Sequence, residues 1–199
     1  ATRDIYAAGA VQPGDEDDYF QSSLFTIARR RILWLLILVL ANGLTTKVIA
    51  MNDQILREIV LLAAFIPLLI GTGGNVGAQS STVVIRGLST KKIKSLGAIK
   101  AVVREAITGA LLGVLMMLVV FPFAWWQGGG PLIAFAVGIS LISITTLAAT
   151  TGAILPLLFD KMRLDPALMS SPFITTVTDI AGVFIYLSTA KWLLSSSLI

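Results

Sequence analysis

Long, almost uncharged apolar stretches constrain the fold of this chain more than any other feature of its sequence. A helix that spans the hydrocarbon core of a bilayer needs about 20 mostly apolar residues. Stretches of about this length or longer lie at approximately 32–50, 59–85, 105–126, 132–159 and 171–194. We therefore predict an all-α integral membrane protein with five transmembrane helices per subunit.

The residues before the first apolar stretch differ in composition from the rest of the chain. Residues 1–28 are polar, include an acidic run at 15–18, and lack the apolar core of a signal peptide. We predict a cytoplasmic tail or remnant linker at 1–28 and a five-helix transmembrane domain at 29–199. The acidic run is either part of a connection to further domains or a solvated tail.

Lysines and arginines are distributed unevenly between the two ends of the predicted helices. Such residues are retained on the cytoplasmic side of membrane proteins. With the amino terminus inside, twelve of the 15 lysines and arginines are cytoplasmic, and only Lys47, Arg57 and Lys191 lie outside. We predict a multi-pass protein of the inner (plasma) membrane, with a cytoplasmic amino terminus and an external carboxyl terminus.

Composition excludes several classes of function. The basic residues lie between apolar runs rather than along one polar face, which argues against binding to nucleic acid. The chain has no cysteine and no histidine, so any metal ion must be held by oxygen. Oxygen ligands suit hard cations such as Mg²⁺, Ca²⁺ and Mn²⁺.

Asp179 is the one carboxylate that falls deep inside a predicted span. If that span begins near Ser171, Asp179 lies about 12 Å into the membrane, where a charge costs roughly 3 kcal/mol. Thr175 and Gly182 share its helical face. The carboxylate either lines a path for a cation or is protonated or hydrogen-bonded to a neighbouring helix.

One carboxylate makes a poor cation site, but two copies across a dimer axis would place two negative charges beside one ion. Mg²⁺ keeps several of its waters when bound, so two aspartates could hold the hydrated ion through those waters. The sequence shows no internal repeat that could supply symmetry within one chain. We therefore predict a homodimer.

The second apolar stretch combines small residues with amides. Gly73 and Gly77 stand four residues apart, a spacing that lets a neighbouring helix approach closely. Asn75 and Gln79 also lie one turn apart, and each needs a polar partner inside a membrane. That partner is either another helix or the water around an ion.

Prolines mark the region where the last helix begins. Pro172 is predicted to occupy its first turn, where the missing N–H costs nothing. Asp165 and Pro166 also have the character of a helix boundary, and Ser171 and Thr175 would bring oxygens close to the inner mouth of a path.

These two segments together resemble the MgtE magnesium channels. The resemblance is carried by the pattern from Gly73 to Gln79 and by Asp165-Pro-Ala followed by Pro172, Thr175, Thr176, Asp179 and Gly182. It covers about residues 20–199, the membrane domain of that family.

The resemblance implies a homodimer with its pore at the subunit interface, formed mainly by the second and fifth helices. Asp179 of each subunit would bind hydrated Mg²⁺, and Thr175 and Ser171 would face the path. Mn²⁺, Co²⁺ and Ca²⁺ are further candidate ions. MgtE proteins usually carry cytosolic magnesium-sensing domains, which this chain lacks ahead of its first span, so it is expected to be a short natural form or a truncation.

Two rival functions differ from a channel. A secondary carrier that exchanges Mg²⁺ for Na⁺ or H⁺ could use Asp179 as its coupling site. However, a single ionisable residue in the spans leaves few groups that could bind a second ion. A structural membrane subunit would leave Asp179 only a helix-bonding role. An intramembrane protease would need a histidine or a second membrane aspartate, so we expect no enzyme activity.

Overall fold

The computed structural model describes residues 23–195 of the chain. Within that range the side chains of residues 26, 27, 30, 31, 33, 34, 94, 167–172 and 195 are not described. Most of the predicted tail at 1–28 lies outside the described residues, so the domain boundary near residue 28 stays a prediction.

The described part of the chain consists of helices joined by short connections. They are α1 (Leu24–Ala50), α2 (Asp53–Glu58), α3 (Leu61–Ser89), α4 (Lys92–Leu96), α5 (Ala98–Ala124), a π-helical segment (Trp125–Gly129), α6 (Gly130–Lys161) and α7 (Pro166–Ser195). Each of the long helices α1, α3, α5, α6 and α7 contains all or most of one predicted apolar stretch. The all-helical fold class is confirmed.

Three helical stretches of the described chain are long and apolar enough to cross a membrane. They are Leu61–Ser89, Ala98–Lys161 and Phe173–Leu194, and Leu35–Ala50 is a shorter apolar helix. The second stretch has 64 residues and includes both α5 and α6, which are separated at Gly128, where φ is 90°. The number of spans therefore stays a prediction.

Helices α5 and α6 form an antiparallel hairpin. Gly109 lies against Ala149 and Gly138 lies against Met117, while the rings of Phe121 and Phe135 are 4.8 Å apart. As residue numbers rise along α5, their partners on α6 fall. The turn between the two helices places their long faces in contact.

Helix α6 is the centre of the bundle and also packs against α3 and α7. Gly73 and Gly77 of α3 lie against Ile144 and Ala148 of α6, so these two helices run in parallel. Side chains of α6 that are fully buried include Leu141 and Ile144. The described part of α1 packs mainly on α7 at the edge of the bundle.

Two connections contain short helices, and one local prediction is corrected by the structure. The segment between the first two apolar stretches contains α2, and the basic segment after α3 contains α4. Helix α7 begins at Pro166, so the prediction that Pro172 occupies the first turn is wrong. Pro166 takes that place, since a proline fits wherever a helix needs no N–H donor.

Candidate functional site

Asp179 lies at the middle of the last helix. It is the fourteenth of the 30 residues of α7, which places it about 20 Å along the axis from the helix start. Its side chain is half-buried, and within the described chain it has neither a hydrogen-bond partner nor an ion-pair partner.

Close packing of α3 against α7 fixes the surroundings of that carboxylate. A β-carbon added to Gly73 would lie 2.6 Å from Thr178 Cγ2, and one added to Gly77 would lie 2.5 Å from Ile174 Cγ2. No side chain fits at either position without a shift of its neighbours. The two glycines therefore let the side chains of Thr178 and Ile174 on α7 pack directly against the backbone of α3.

Thr175 lies at the same helix contact, one turn before Asp179. A β-carbon added to Gly74 would lie 3.8 Å from Thr175 Cγ2, an ordinary contact distance. Thr175 is half-buried and takes part in a further interaction. The structure thus places Thr175 beside the glycine-rich segment of α3, on the turn that leads to Asp179.

The amides of α3 lie away from this contact. Asn75 and Gln79 are exposed, whereas Gly73 and Gly77 are buried. Neither amide forms a hydrogen bond within the described chain. Since successive helical residues are rotated by about 100°, the two amides face outward from the bundle of one subunit.

The remaining predicted site residues have different surroundings. Gly182 is buried, and a β-carbon there would lie 3.7 Å from side-chain atoms of Ile144, so this glycine faces α6. The side chains of Ser171 and Pro172 lie outside the described residues, although their backbone belongs to α7.

The described residues of one subunit contain no cluster of metal-binding side chains. In the described part of the chain, no three acidic, histidine or cysteine side chains cluster in a way that could hold a metal ion. A cation bound at Asp179 would find one carboxylate in this subunit, with hydroxyl, amide or backbone oxygens or water as its other ligands. Such a donor set suits a hydrated Mg²⁺ or another hard cation.

Two polar features inside the bundle were missed from the sequence. The buried Tyr186 hydroxyl donates a hydrogen bond of 3.1 Å to the Leu62 carbonyl, which ties α7 to α3. The Ser140 hydroxyl of α6 is buried without a partner in the described structure. A lone tyrosine seven residues after Asp179 is a signal for the first, since a membrane-buried hydroxyl needs an acceptor.

Comparisons with known proteins show which family the chain resembles. A family model described as MgtE, divalent cation transporter, matches residues 66–189. The magnesium transporter MgtE of Thermus thermophilus is 36% identical over 196 residues, covering 98% of this chain and 43% of that protein. The one from Bacillus subtilis is 34% identical over 176 residues, or 88% and 39% of the two chains.

A third similar protein is the magnesium transporter MgtE of Enterococcus faecalis. It is 36% identical over 168 residues, which cover 82% of this chain and 36% of that protein. The chain thus spans about two fifths of the length of the curated relatives that it matches.

Proposed function

The chain belongs to the MgtE family of divalent cation transporters, and on that premise we propose that it conducts hydrated Mg²⁺ through a pore between two copies of itself. Asp179 of each copy supplies the cation site. The observation that carries this proposal is the half-buried carboxylate at the middle of α7, which has no partner in the described chain.

The outward amides of α3 support a second copy as the missing partner. Asn75 and Gln79 lie on an apolar, membrane-length helix yet point away from their own bundle. Amides in contact with hydrocarbon lose the hydrogen bonds that water would give them. A symmetric second subunit would cover them or place them beside the water around the ion.

A weak, partly outer-sphere site suits conduction. Mg²⁺ gives up its waters reluctantly, and two carboxylates that contact those waters can attract the ion without trapping it. Binding must be strong enough for entry and weak enough for release. Thr175, and Ser171 near the inner end, would line the approach to Asp179.

Several coarser features belong to the same proposal. The subunit would have five transmembrane helices in the inner (plasma) membrane, with the basic ends of α3, α5 and α6 on the cytoplasmic side. The relatives are named as transporters rather than enzymes, and we propose no catalytic role here. Mn²⁺, Co²⁺ and Ca²⁺ are candidate further permeant ions.

Exchange of Mg²⁺ for Na⁺ or H⁺ remains the second candidate mechanism. A channel passes Mg²⁺ down its own gradient without a counter-ion gradient, whereas an exchanger requires one. Uptake measured with and without an imposed Na⁺ or pH gradient distinguishes the two. We expect uptake that is driven by the Mg²⁺ gradient and membrane potential alone.

Liposome flux tests the site directly. Purified protein is reconstituted with a Mg²⁺ indicator inside, and the wild type is compared with Asp179→Asn and Asp179→Ala. Asp160→Asn is the matched control, since Asp160 is an exposed carboxylate at the end of α6. We expect saturable flux that falls at least tenfold in both Asp179 variants and stays unchanged in the control.

The dimer is measured for each variant by light scattering. Loss of flux with an intact dimer supports the pore role of Asp179. Unchanged flux in both Asp179 variants would show that the carboxylate only bonds helices and that the ion path lies elsewhere.

A further inference from the structure

The basic end of the bundle contains a cavity that is separate from Asp179. It has a volume of about 550 Å³, within the range of small-molecule sites, and lies where α3, α4 and α5 meet. Arg86, Lys92 and Arg104 line it together with Glu105. Asp179 is not among its lining residues.

Helix α4 is anchored firmly enough to make this cavity part of the fold. Its Ile93 is 8% exposed and packs in a small apolar cluster with Val84, Ala101 and Ala153. A β-carbon on Gly87 would lie 2.8 Å from Ile93 Cγ1, so that glycine makes room for α4. Lys91 and Gly97, with φ of 59° and 92°, turn the chain sharply on either side.

The cavity combines an excess of positive charge with an apolar wall. Arg86, Lys92 and Arg104 are exposed, and none forms an ion pair within the described chain. Val83 and Leu96 supply lining surface that is 58% and 43% exposed. With Glu105 included, three cationic side chains face one anionic side chain.

We propose that this cavity binds an anionic phospholipid, with the phosphate between the three basic side chains and the first part of an acyl chain against Val83 and Leu96. The three cationic side chains lie near one end of helices that are long and apolar enough to span a membrane, and basic residues just outside the hydrocarbon attract anionic headgroups. An arginine can contact a phosphate through paired N–H donors, and Arg86 and Arg104 both line the cavity. A zwitterionic lipid would add a positive group to an already cationic site.

Native mass spectrometry of the purified protein tests this proposal without measuring transport. Phosphatidylglycerol and phosphatidylcholine with identical acyl chains are added at matched concentrations, and bound lipid is counted. The double variant Arg86→Gln with Arg104→Gln is compared with Lys161→Gln with Arg163→Gln. The control pair removes the same charge from the same end of the bundle but from outside the cavity.

We expect the wild type to retain phosphatidylglycerol at least tenfold better than phosphatidylcholine. Each basic residue near an anionic headgroup contributes about fivefold in affinity, so the cavity variant should lose roughly 25-fold for phosphatidylglycerol. The control pair should lose less than about threefold. Equal loss in both pairs would mean general surface electrostatics and would overturn the cavity site, as would no loss in the cavity pair.

Two further experiments test where the lipid binds and whether the bound phosphate belongs to a lipid or to a soluble ester. Val83→Trp fills the apolar wall without changing charge, and tryptophan is well accommodated at a membrane interface. It should lower phosphatidylglycerol retention several-fold, and unchanged retention would overturn the proposed location. Free glycerol phosphate should not displace the lipid at equal concentration; displacement would identify a soluble phosphate ester as the ligand and overturn the lipid assignment.

Discussion

The inward and outward faces of α3 differ in what they contact, although their residues alternate along one short segment. On the inward face, Gly73 and Gly77 are in close contact with α6 and α7. On the outward face, Asn75 and Gln79 are exposed and unbonded within the described chain. About two turns of one helix thus carry a close helix contact on one face and amides without hydrogen bonds in the described chain on the other.

The difference teaches what each face needs in a bilayer. Helices gain little hydrophobic energy by associating in lipid, so the inward face depends on close approach at small residues. Amides gain nothing from lipid and require a polar neighbour. The inward face should therefore govern the stability of one subunit, and the outward face should govern assembly and ion passage.

Replacing Gly77 by valine should produce the largest effect. A β-carbon at Gly77 would lie 2.5 Å from Ile174 Cγ2 and 3.3 Å from the Ala148 carbonyl oxygen, so neither neighbour has room. Overpacking of this kind costs about 3 kcal/mol at its upper range. We expect a strongly lowered unfolding free energy, measured by thermal or denaturant unfolding in detergent.

Gly71→Val is the matched control for that experiment. Gly71 lies in the same helix, is exposed, and has nothing within 4 Å of the position that a β-carbon would take. It should leave stability within about 0.5 kcal/mol of the wild type. Equal destabilisation by both valines would mean that helix propensity, rather than the contact with α6 and α7, explains the result.

Replacing Asn75 and Gln79 together by leucine should act on assembly instead. A side-chain hydrogen bond between membrane helices averages about 0.6 kcal/mol, so the four amides of a dimer contribute about 2.4 kcal/mol. Without them we expect dimerisation to be weaker by roughly 50-fold. The measurement is the dimer fraction against detergent dilution, with subunit stability followed in parallel.

The control for the amide pair is Thr108→Val on α5. Thr108 is exposed and its hydroxyl is satisfied within its own helix, by the Arg104 carbonyl at 2.9 Å. It should leave dimerisation unchanged. If the leucine pair destabilises the subunit and leaves dimerisation intact, the division between the two faces is wrong.

Tyr186→Phe probes the inward contact with a smaller change. The substitution removes only the hydroxyl that donates to the Leu62 carbonyl of α3. A hydrogen bond of this kind contributes about 1 kcal/mol, so we expect a decrease of that size in the unfolding free energy. Thr82→Val, which removes a hydroxyl bonded within α3 at 2.8 Å, should cost less, and a larger cost there would contradict the proposed link between helices.

The sequence predicts the chemistry of the two α3 faces better than it predicts which residues those faces contact. The spacing of Gly73 and Gly77 indicates a close helix contact, and the offset of Asn75 and Gln79 by two residues turns them about 200° away. The identities of Ile174 and Ala148 as the facing residues could not be predicted, because packing partners depend on where distant helices cross.

Helix boundaries were harder to predict where the sequence offers two solutions. Pro166 and Pro172 both fit a first helical turn, and local preference alone does not choose between them. The sequence does not predict the short helix α4, because the basic residues in and around it suggest a solvated loop. Among the described side chains of α4 only Ile93 is buried, and its contact with Gly87 is visible only in the folded chain.

The ion pair of α2 provides the smallest predicted effect and a contrast to both faces of α3. Arg57 Nε donates a hydrogen bond of 2.5 Å to Asp53, and both side chains are exposed. This bond lowers the pKa of Asp53 below its ordinary value of 3.8. The stabilisation that the pair contributes is therefore fully present above pH 3.8 and is lost as the pH falls through the lowered pKa of Asp53.

In Arg57→Gln we expect the pKa of Asp53, measured by carboxyl NMR titration, to rise toward 3.8. The free energy of unfolding at neutral pH should stay unchanged, because exposed ion pairs contribute little. A pKa that does not move would show that Arg57 is not the cause of the shift, and a clear loss of stability would place α2 among the elements that hold the bundle together.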